Sequence, residues 1–256
     1  MSPRTALLGG LAVLLLAVGG AALAWTLFLR GDDVAPLTLP STAPAASAAA
    51  GGATAAAGAS AGVSLAPGSA GAVGAASLPG SWTIAQGSVV GYRVRERLAS
   101  LSADSDAVGR TNSITGAATI AAAGGAMSLT DASFTVDMTS LASDRPMRDN
   151  RLRRDGIETD VYPTSTFKLT QPVALPADAT SGTPFDVTLH GDLTLHGVTK
   201  TVDIPAKAQL NGSQIQVVGS LSFPFSDYQI NAPNIGGFVA VQDQGTLEFQ
   251  VNLAKG

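Results

Sequence analysis

The chain has 256 residues, a net charge of −4 and no cysteine. The missing thiols exclude disulfides, thiolate metal sites, a cysteine nucleophile and a lipid-modified N-terminal cysteine together. Only Arg4, Arg30, Asp32 and Asp33 are charged ahead of Ser81, so the net negative charge resides beyond it. That mild acidity argues against nucleic acid, which takes a concentrated basic footprint.

From Thr5 to Leu29 there is no charge, and Leu, Ala, Val, Trp and Phe dominate. At helical rise the run reaches about 37 Å, enough to cross a hydrocarbon core of about 30 Å. A cleaved secretory signal has a shorter apolar core; Ala22 and Ala24 resemble a cleavage site, but Trp25, Leu27, Phe28 and Leu29 prolong the run past it. Residues 1–33 therefore read as a single-pass anchor in the cell membrane, with a secreted, signal-cleaved chain as the alternative. Arg4 lies on one side, while Asp32 and Asp33 offset Arg30 on the other, which favours a cytoplasmic N-terminus and an exported remainder. Residues 34–80 carry no charge and consist mostly of Ala, Gly, Ser, Thr and Pro, a composition that cannot bury a core. They read as a disordered linker of roughly 35–40 Å span.

Beyond Ser81 the pattern turns to period-two alternation, expected of strands with one wet and one dry face. Val90, Tyr92 and Val94 alternate with Gly91, Arg93 and Arg95; Phe134, Val136 and Met138 with Thr135, Asp137 and Thr139. Phe167 and Leu169 flank Lys168, and Val187, Leu189, Leu193 and Leu195 share one parity. Val202 to Ala208, Ile215 to Phe223 and Leu247 to Leu253 continue the alternation, with turns at Gly197 and Asn211-Gly212. About eight such strands predict an all-β, antiparallel barrel over 81–256, since closure removes exposed edges; a sandwich is the alternative. Ser143-Asp144-Arg145-Pro146 breaks the alternation with a capping residue followed by proline, and Gly156 offers a stop, so Met147 to Asp155 reads as a short inserted helix.

Three runs together resemble the YceI-like family. They are Arg148-Asp149-Asn150-Arg151-Leu152, then Val161-Tyr162-Pro163-Thr164-Ser165-Thr166-Phe167, then Gly191 through Lys200, read as Gly-Asp-Leu-Thr-Leu-His-Gly-Val-Thr-Lys. The resemblance covers nearly all of 81–256. It implies an extended, lipocalin-like barrel that holds a long isoprenoid or similar amphiphile, in a secreted or periplasmic setting, with no cofactor and no established catalysis. Phe223 to Ile230 departs from the family's Phe-Gly-Ile-like element, which leaves the shape of one barrel mouth open.

Tyr92, Phe134, Val136, Met138, Phe167, Leu193, Leu195, Phe223 and Phe249 are the inward positions that line either an apolar ligand channel or a packed core; the resemblance favours the channel. Arg145, Arg148, Arg151, Arg153 and Arg154 crowd one short stretch. Arg148 and Arg151 would receive a charged head group, or the arginines form a solvated face balanced by Asp144, Asp149 and Asp155. Asp149 suits orienting an arginine or capping a strand end. His190 and His196 fit no metal spacing, and His196 suits a backbone hydrogen bond beside Gly197. No nucleophile elbow, phosphate loop or nucleotide fingerprint occurs, and the assigned inward positions carry no acid or base. The expectation is a membrane-tethered, non-enzymatic carrier of a long-chain amphiphile, with a possible homodimer; the rival is a protein-interaction scaffold without lipid.

Overall fold

The computed structural model describes residues 34–40, 77–98, 104–232, 234–235 and 239–256. The expected membrane helix over Thr5–Leu29 and most of the linker lie outside the described residues. Thirteen strand segments share one sheet: β1 (Gly80–Ile84), β2 (Val89–Leu98), β3 (Ser105–Thr111), β4 (Ile114–Ala123), β5 (Ala126–Asp137), β6 (Ala142–Ser143), β7 (Thr164–Leu169), β8 (Val173–Leu175), β9 (Phe185–Leu195), β10 (Val198–Asn211), β11 (Gln214–Phe223), β12 (Asn234–Ile235) and β13 (Val239–Lys255).

Closure is explicit in the register. β1 pairs β4 at Thr83–Ala117 and β13 at Ile84–Leu253, which joins the path β1-β4-β5-β7-β9-β10-β11-β13 into an eight-membered antiparallel ring. β2 prolongs the line of β1 along β13, pairing Val90 with Phe249, and takes β3 as its other neighbour. Short β6 and β8 extend the wall beside β3 and β5. The sandwich alternative is thereby excluded.

The alternating runs fall where expected, except that Met138 lies past the end of β5, in a 3₁₀ turn over Met138–Ser140. β1, β3 and β4 were not among the expected strands. In β4, Ile-Thr-Gly-Ala-Ala-Thr-Ile-Ala-Ala-Ala, small side chains on both faces erase the contrast that marks a strand. The hairpin at His196-Gly197 joins Leu195 to Val198 with φ of 51° and 72°, the double left-handed geometry that matches strand twist.

The inserted helix lies where the sequence predicts, but only its first part is α-helical. Helix α1 covers Pro146–Arg151, with proline in its first turn, and a π-type turn continues over Leu152–Gly156. Its N-cap is Arg145, without a side-chain cap. Asp149 instead reaches back to the end of β6, accepting from the Ser143 amide at 3.0 Å and its hydroxyl at 2.6 Å, the strand-end role expected of it.

Two apolar clusters follow one another along the barrel. The first centres on Trp82, fully enclosed, whose indole donates to the Leu78 carbonyl at 2.8 Å while Lys255 lies 5.3 Å from its ring. The second gathers Leu193, Leu195, Phe223, Phe225, Tyr228 and Ile230. Residues 34–40, the start of the expected linker, lie on the outside of the wall: Arg93 and Arg110 donate to the Val34 and Ala35 carbonyls at 2.8 and 2.7 Å, and Gln209 donates to the Pro40 carbonyl at 3.1 Å.

Candidate functional site: an apolar bore with a charged rim

The barrel is hollow. A cavity of about 730 Å³ extends from Leu78 and Trp82 at one end to α1 at the other, well within the size of small-molecule sites. Met147 on α1 borders it and is 86% exposed, so this end opens to the surface.

The structure places every expected residue on the cavity wall: Tyr92, Phe134, Val136, Met138, Phe167, Leu193, Leu195, Phe223 and Phe249 along the bore, Arg148 and Arg151 at the rim. Phe223, Phe225 and Ile230, from the stretch that departs from the family pattern, also line it. There a 3₁₀ turn over Phe225–Tyr228 ends at Gln229 with φ of 55°, which folds Ile230 back so that its amide donates to the Phe225 carbonyl at 3.0 Å. Tyr228 beneath it is 1% exposed, and burial, with the charge of Asp227, pushes its phenol up to about 12.

What keeps the bore open is a pairing of rings with glycines. Tyr92 stands directly opposite Gly109, Phe134 opposite Gly116 and Phe249 opposite Gly219. A Cβ on Gly109 would lie 2.3 Å from Tyr92 Cε1, and one on Gly219 would lie 2.5 Å from Phe249 Cζ. Each ring thus lies flat on the wall, in the space a side chain would take, rather than across the bore.

The rim differs from the sequence expectation. Arg148 does not offer free donors: it binds Glu96 at 2.6 Å and also Asp144, with Ser143 Oγ at 3.4 Å. Burial works against its charge, but Glu96 and Asp144 hold its pKa above the usual arginine value. Arg151 meets Asp155 at 3.5 Å and is about half exposed. Glu96 is the residue that sequence reading missed. It is 6% exposed and lines the cavity, so the expectation of no acid at an inward position is corrected. Its parity with Val90, Tyr92 and Val94 was the available signal.

Tyr92 brings a polar atom inside. Its hydroxyl is buried and has no hydrogen-bond partner among the described residues. Burial raises its pKa well above the ordinary phenol; the charges of Asp149, Glu96 and Asp144 add to this and Arg148 opposes it. The group stays a neutral donor.

The histidines lie outside the bore. His190 meets Asp203 across the strand pair at 2.6 Å on the exposed face. His196 packs against Tyr162, with Nδ1 at 2.9 Å from the Tyr228 carbonyl and Nε2 at 2.8 Å from Glu158. It hydrogen-bonds backbone as expected, but to a distant loop rather than its own turn. Among the described residues no group of three or more His, Asp or Glu converges to hold a metal.

Comparison with known proteins returns the same domain. The model of the YceI-like domain matches residues 82–253. A UPF0312 protein of Vibrio parahaemolyticus is 35% identical over 114 residues, 42% of this chain and 57% of that protein, so the chain spans little more than half the length of the curated relative it matches. Among solved structures, a polyisoprenoid binding domain from Saccharophagus degradans implicated in plant cell wall breakdown aligns with a TM-score of 0.51 at 19% identity, covering 70% of this chain and 99% of that one. BcnA of Burkholderia cenocepacia aligns with a TM-score of 0.46 at 21% identity, covering 64% and 95%.

Proposed function

This chain belongs to the YceI-like family, and from that premise we propose that its barrel holds one long-chain apolar molecule of the isoprenoid class within the bore. The observation that carries the reading is the cavity itself, about 730 Å³ and walled by inward side chains of the closed sheet. A hydrocarbon chain suits it, because each buried CH₂ contributes about 0.8 kcal/mol. The likeness to a polyisoprenoid binding domain supports the same ligand class.

At the rim, Arg148 is occupied by Glu96 and Asp144, so a charged head group would have to displace one of them. Arg145 and Arg151 are rim cations with donors to spare, each paired through Nε at 3.5 Å, and the Tyr92 hydroxyl offers one donor inside to an ether, carbonyl or alcohol oxygen. Glu96, Asp144 and Asp155 are each paired with an arginine, which suits holding a ligand rather than transforming it. The apolar stretch Thr5–Leu29 would anchor the chain in a membrane with the barrel on its outer face.

Native mass spectrometry of the full chain, gently extracted from membranes, tests this. A bound species of isoprenoid mass is expected, lost in Phe134→Arg, which places a charge on the bore wall. A chain that stays ligand-free after incubation with polyprenols of several lengths overturns the reading in favour of a scaffold.

A further inference from the structure

The stretch Val34-Ala35-Pro36-Leu37-Thr38-Leu39-Pro40 is, with residues 77–80, the part of the expected linker that the structure describes, and it is not free of the barrel. Its carbonyls take donors from three side chains on the outer wall: Arg93 on β2, Arg110 on β3 and Gln209 on β10. Pro36 and Leu37 border one shallow cleft with Pro205 and Ala206 of β10, Val218 and Gly219 of β11 and Glu248 of β13. The segment therefore runs across the strands. From β2 through β13 and β11 to β10 is about 14 Å at strand spacing, and Gln209 lies six residues further along the strands than Arg93. The segment thus crosses the wall obliquely, and the long Arg93 and Gln209 side chains reach to meet it.

The wall is built for such a segment. Glu248 is 5% exposed and is held by Arg93 at 2.5 Å and by Arg110 at 3.5 Å, while Asp106 takes Arg93 at 3.0 Å. Those carboxylates leave Arg93 Nη2 free for the Val34 carbonyl, whereas Arg110 Nη2 is shared between Glu248 and the Ala35 carbonyl. The segment is uncharged, and Pro40, whose carbonyl Gln209 meets, offers the wall an acceptor and no N–H.

We infer that Val34–Pro40 is a strap that fixes the barrel wall to the chain just beyond the apolar N-terminal stretch. The membrane half of this inference rests on the anchored reading proposed above. With the strap docked, only residues 31–33 separate Arg30 from the wall, a reach of about 13 Å. A free linker over 34–80 would give roughly 35–40 Å. The barrel is then held against the bilayer surface with a fixed side toward it, with Pro40 held at Gln209 and Pro79 held by Lys255 at 2.8 Å.

The chain has no cysteine, so one introduced thiol is unique. A nitroxide on Thr38→Cys, an exposed strap position, reads docking in the full chain reconstituted into phosphatidylcholine–phosphatidylglycerol vesicles. A motionally restricted spectrum is expected, narrowing to that of a free coil when Leu37→Asp is added. This second change lies on the strap and leaves the barrel core untouched. A nitroxide equally mobile with and without Leu37→Asp overturns the strap. A fluorophore on Thr130→Cys, paired with a lipid-borne acceptor, reads distance from the bilayer; Leu37→Asp is expected to lower transfer several-fold, and unchanged transfer overturns the spacing role. Vesicle flotation separates the two readings: a chain that stays at the bottom of the gradient refutes anchoring and the membrane half of the inference, while the nitroxide still decides docking.

Discussion

Removing Arg148 should destabilise the barrel more than removing its partner Glu96, and removing both should restore much of the loss. The two side chains meet at 2.6 Å and are 17% and 7% exposed. In Arg148→Ala, Glu96 keeps its place on the cavity wall with no other cation paired to it among the described residues, and an uncompensated buried charge costs about 3–5 kcal/mol. In Glu96→Gln, Arg148 retains Asp144, itself 44% exposed, so the loss is that of one charged hydrogen bond, about 1.5–3 kcal/mol. In Glu96→Leu/Arg148→Leu neither charge is left buried, and the cost falls below that of Arg148→Ala. Thermal unfolding resolves these differences, because a domain of this size loses roughly 2–4 °C per kcal/mol. Arg148→Ala should therefore melt about 10 °C below the parent, with the double variant in between. Equal losses for Glu96→Gln and Arg148→Ala, or a double variant as weak as Arg148→Ala, would refute the claim that Glu96 is a buried charge dependent on this arginine.

Two further outcomes follow from the wall. Gly109→Ala should push the Tyr92 ring into the bore and cost about 1–3 kcal/mol, because the new Cβ has only ring atoms to displace; titration of an isoprenoid alcohol, followed by fluorescence of the cavity-lining Trp82, should show weaker binding, relieved by Tyr92→Leu, and unchanged binding would refute the ring-on-glycine account. Burial opposes the charge of Asp106, but hydrogen bonds from Arg95 and Arg93 outweigh it and hold the carboxyl below its usual 3.8. A depressed folded pKa contributes stability above the unfolded value and loses it as pH falls through the folded one. Asp106→Asn should thus be less stable than the parent at neutral pH and converge with it below about pH 4 in urea titrations; a gap that persists at acid pH would show that the pair contributes nothing through ionisation.

The barrel was legible where apolar and polar residues alternate with contrast, as in β5, β9, β11 and β13. It was not legible in β4, whose alanines look alike on both faces, or in β1, whose single large anchor is Trp82. The rim was half legible. The arginine cluster stands out in the sequence, yet the partner that occupies Arg148 is fifty-two residues away in β2 and is fixed only by closure of the sheet. The strap left a fainter trace: Val34–Pro40 carries Leu, Thr and Leu between its prolines and Val ahead of them, where the following stretch is dominated by Ala and Gly. That local change in composition is what a docked segment needs and a passive spacer does not.

Periodicity says which side chains face inward but not whether they meet in the middle. An eight-stranded barrel is narrow enough for side chains to fill, and this one carries several aromatic rings on its inner face. Had those rings extended radially, the interior would be a packed core. The cross-strand neighbour decides the matter: with Gly109 beside Tyr92, Gly116 beside Phe134 and Gly219 beside Phe249, each ring has a bare patch of backbone to lie on. The glycines read in the sequence as weak points in strands, since they lose the most conformational freedom and pack least. In the folded wall they set the width of the bore. A hollow barrel of this size is therefore written less in its apolar residues than in the register that places a glycine opposite Tyr92, Phe134 and Phe249, and register becomes visible only when the strands are paired.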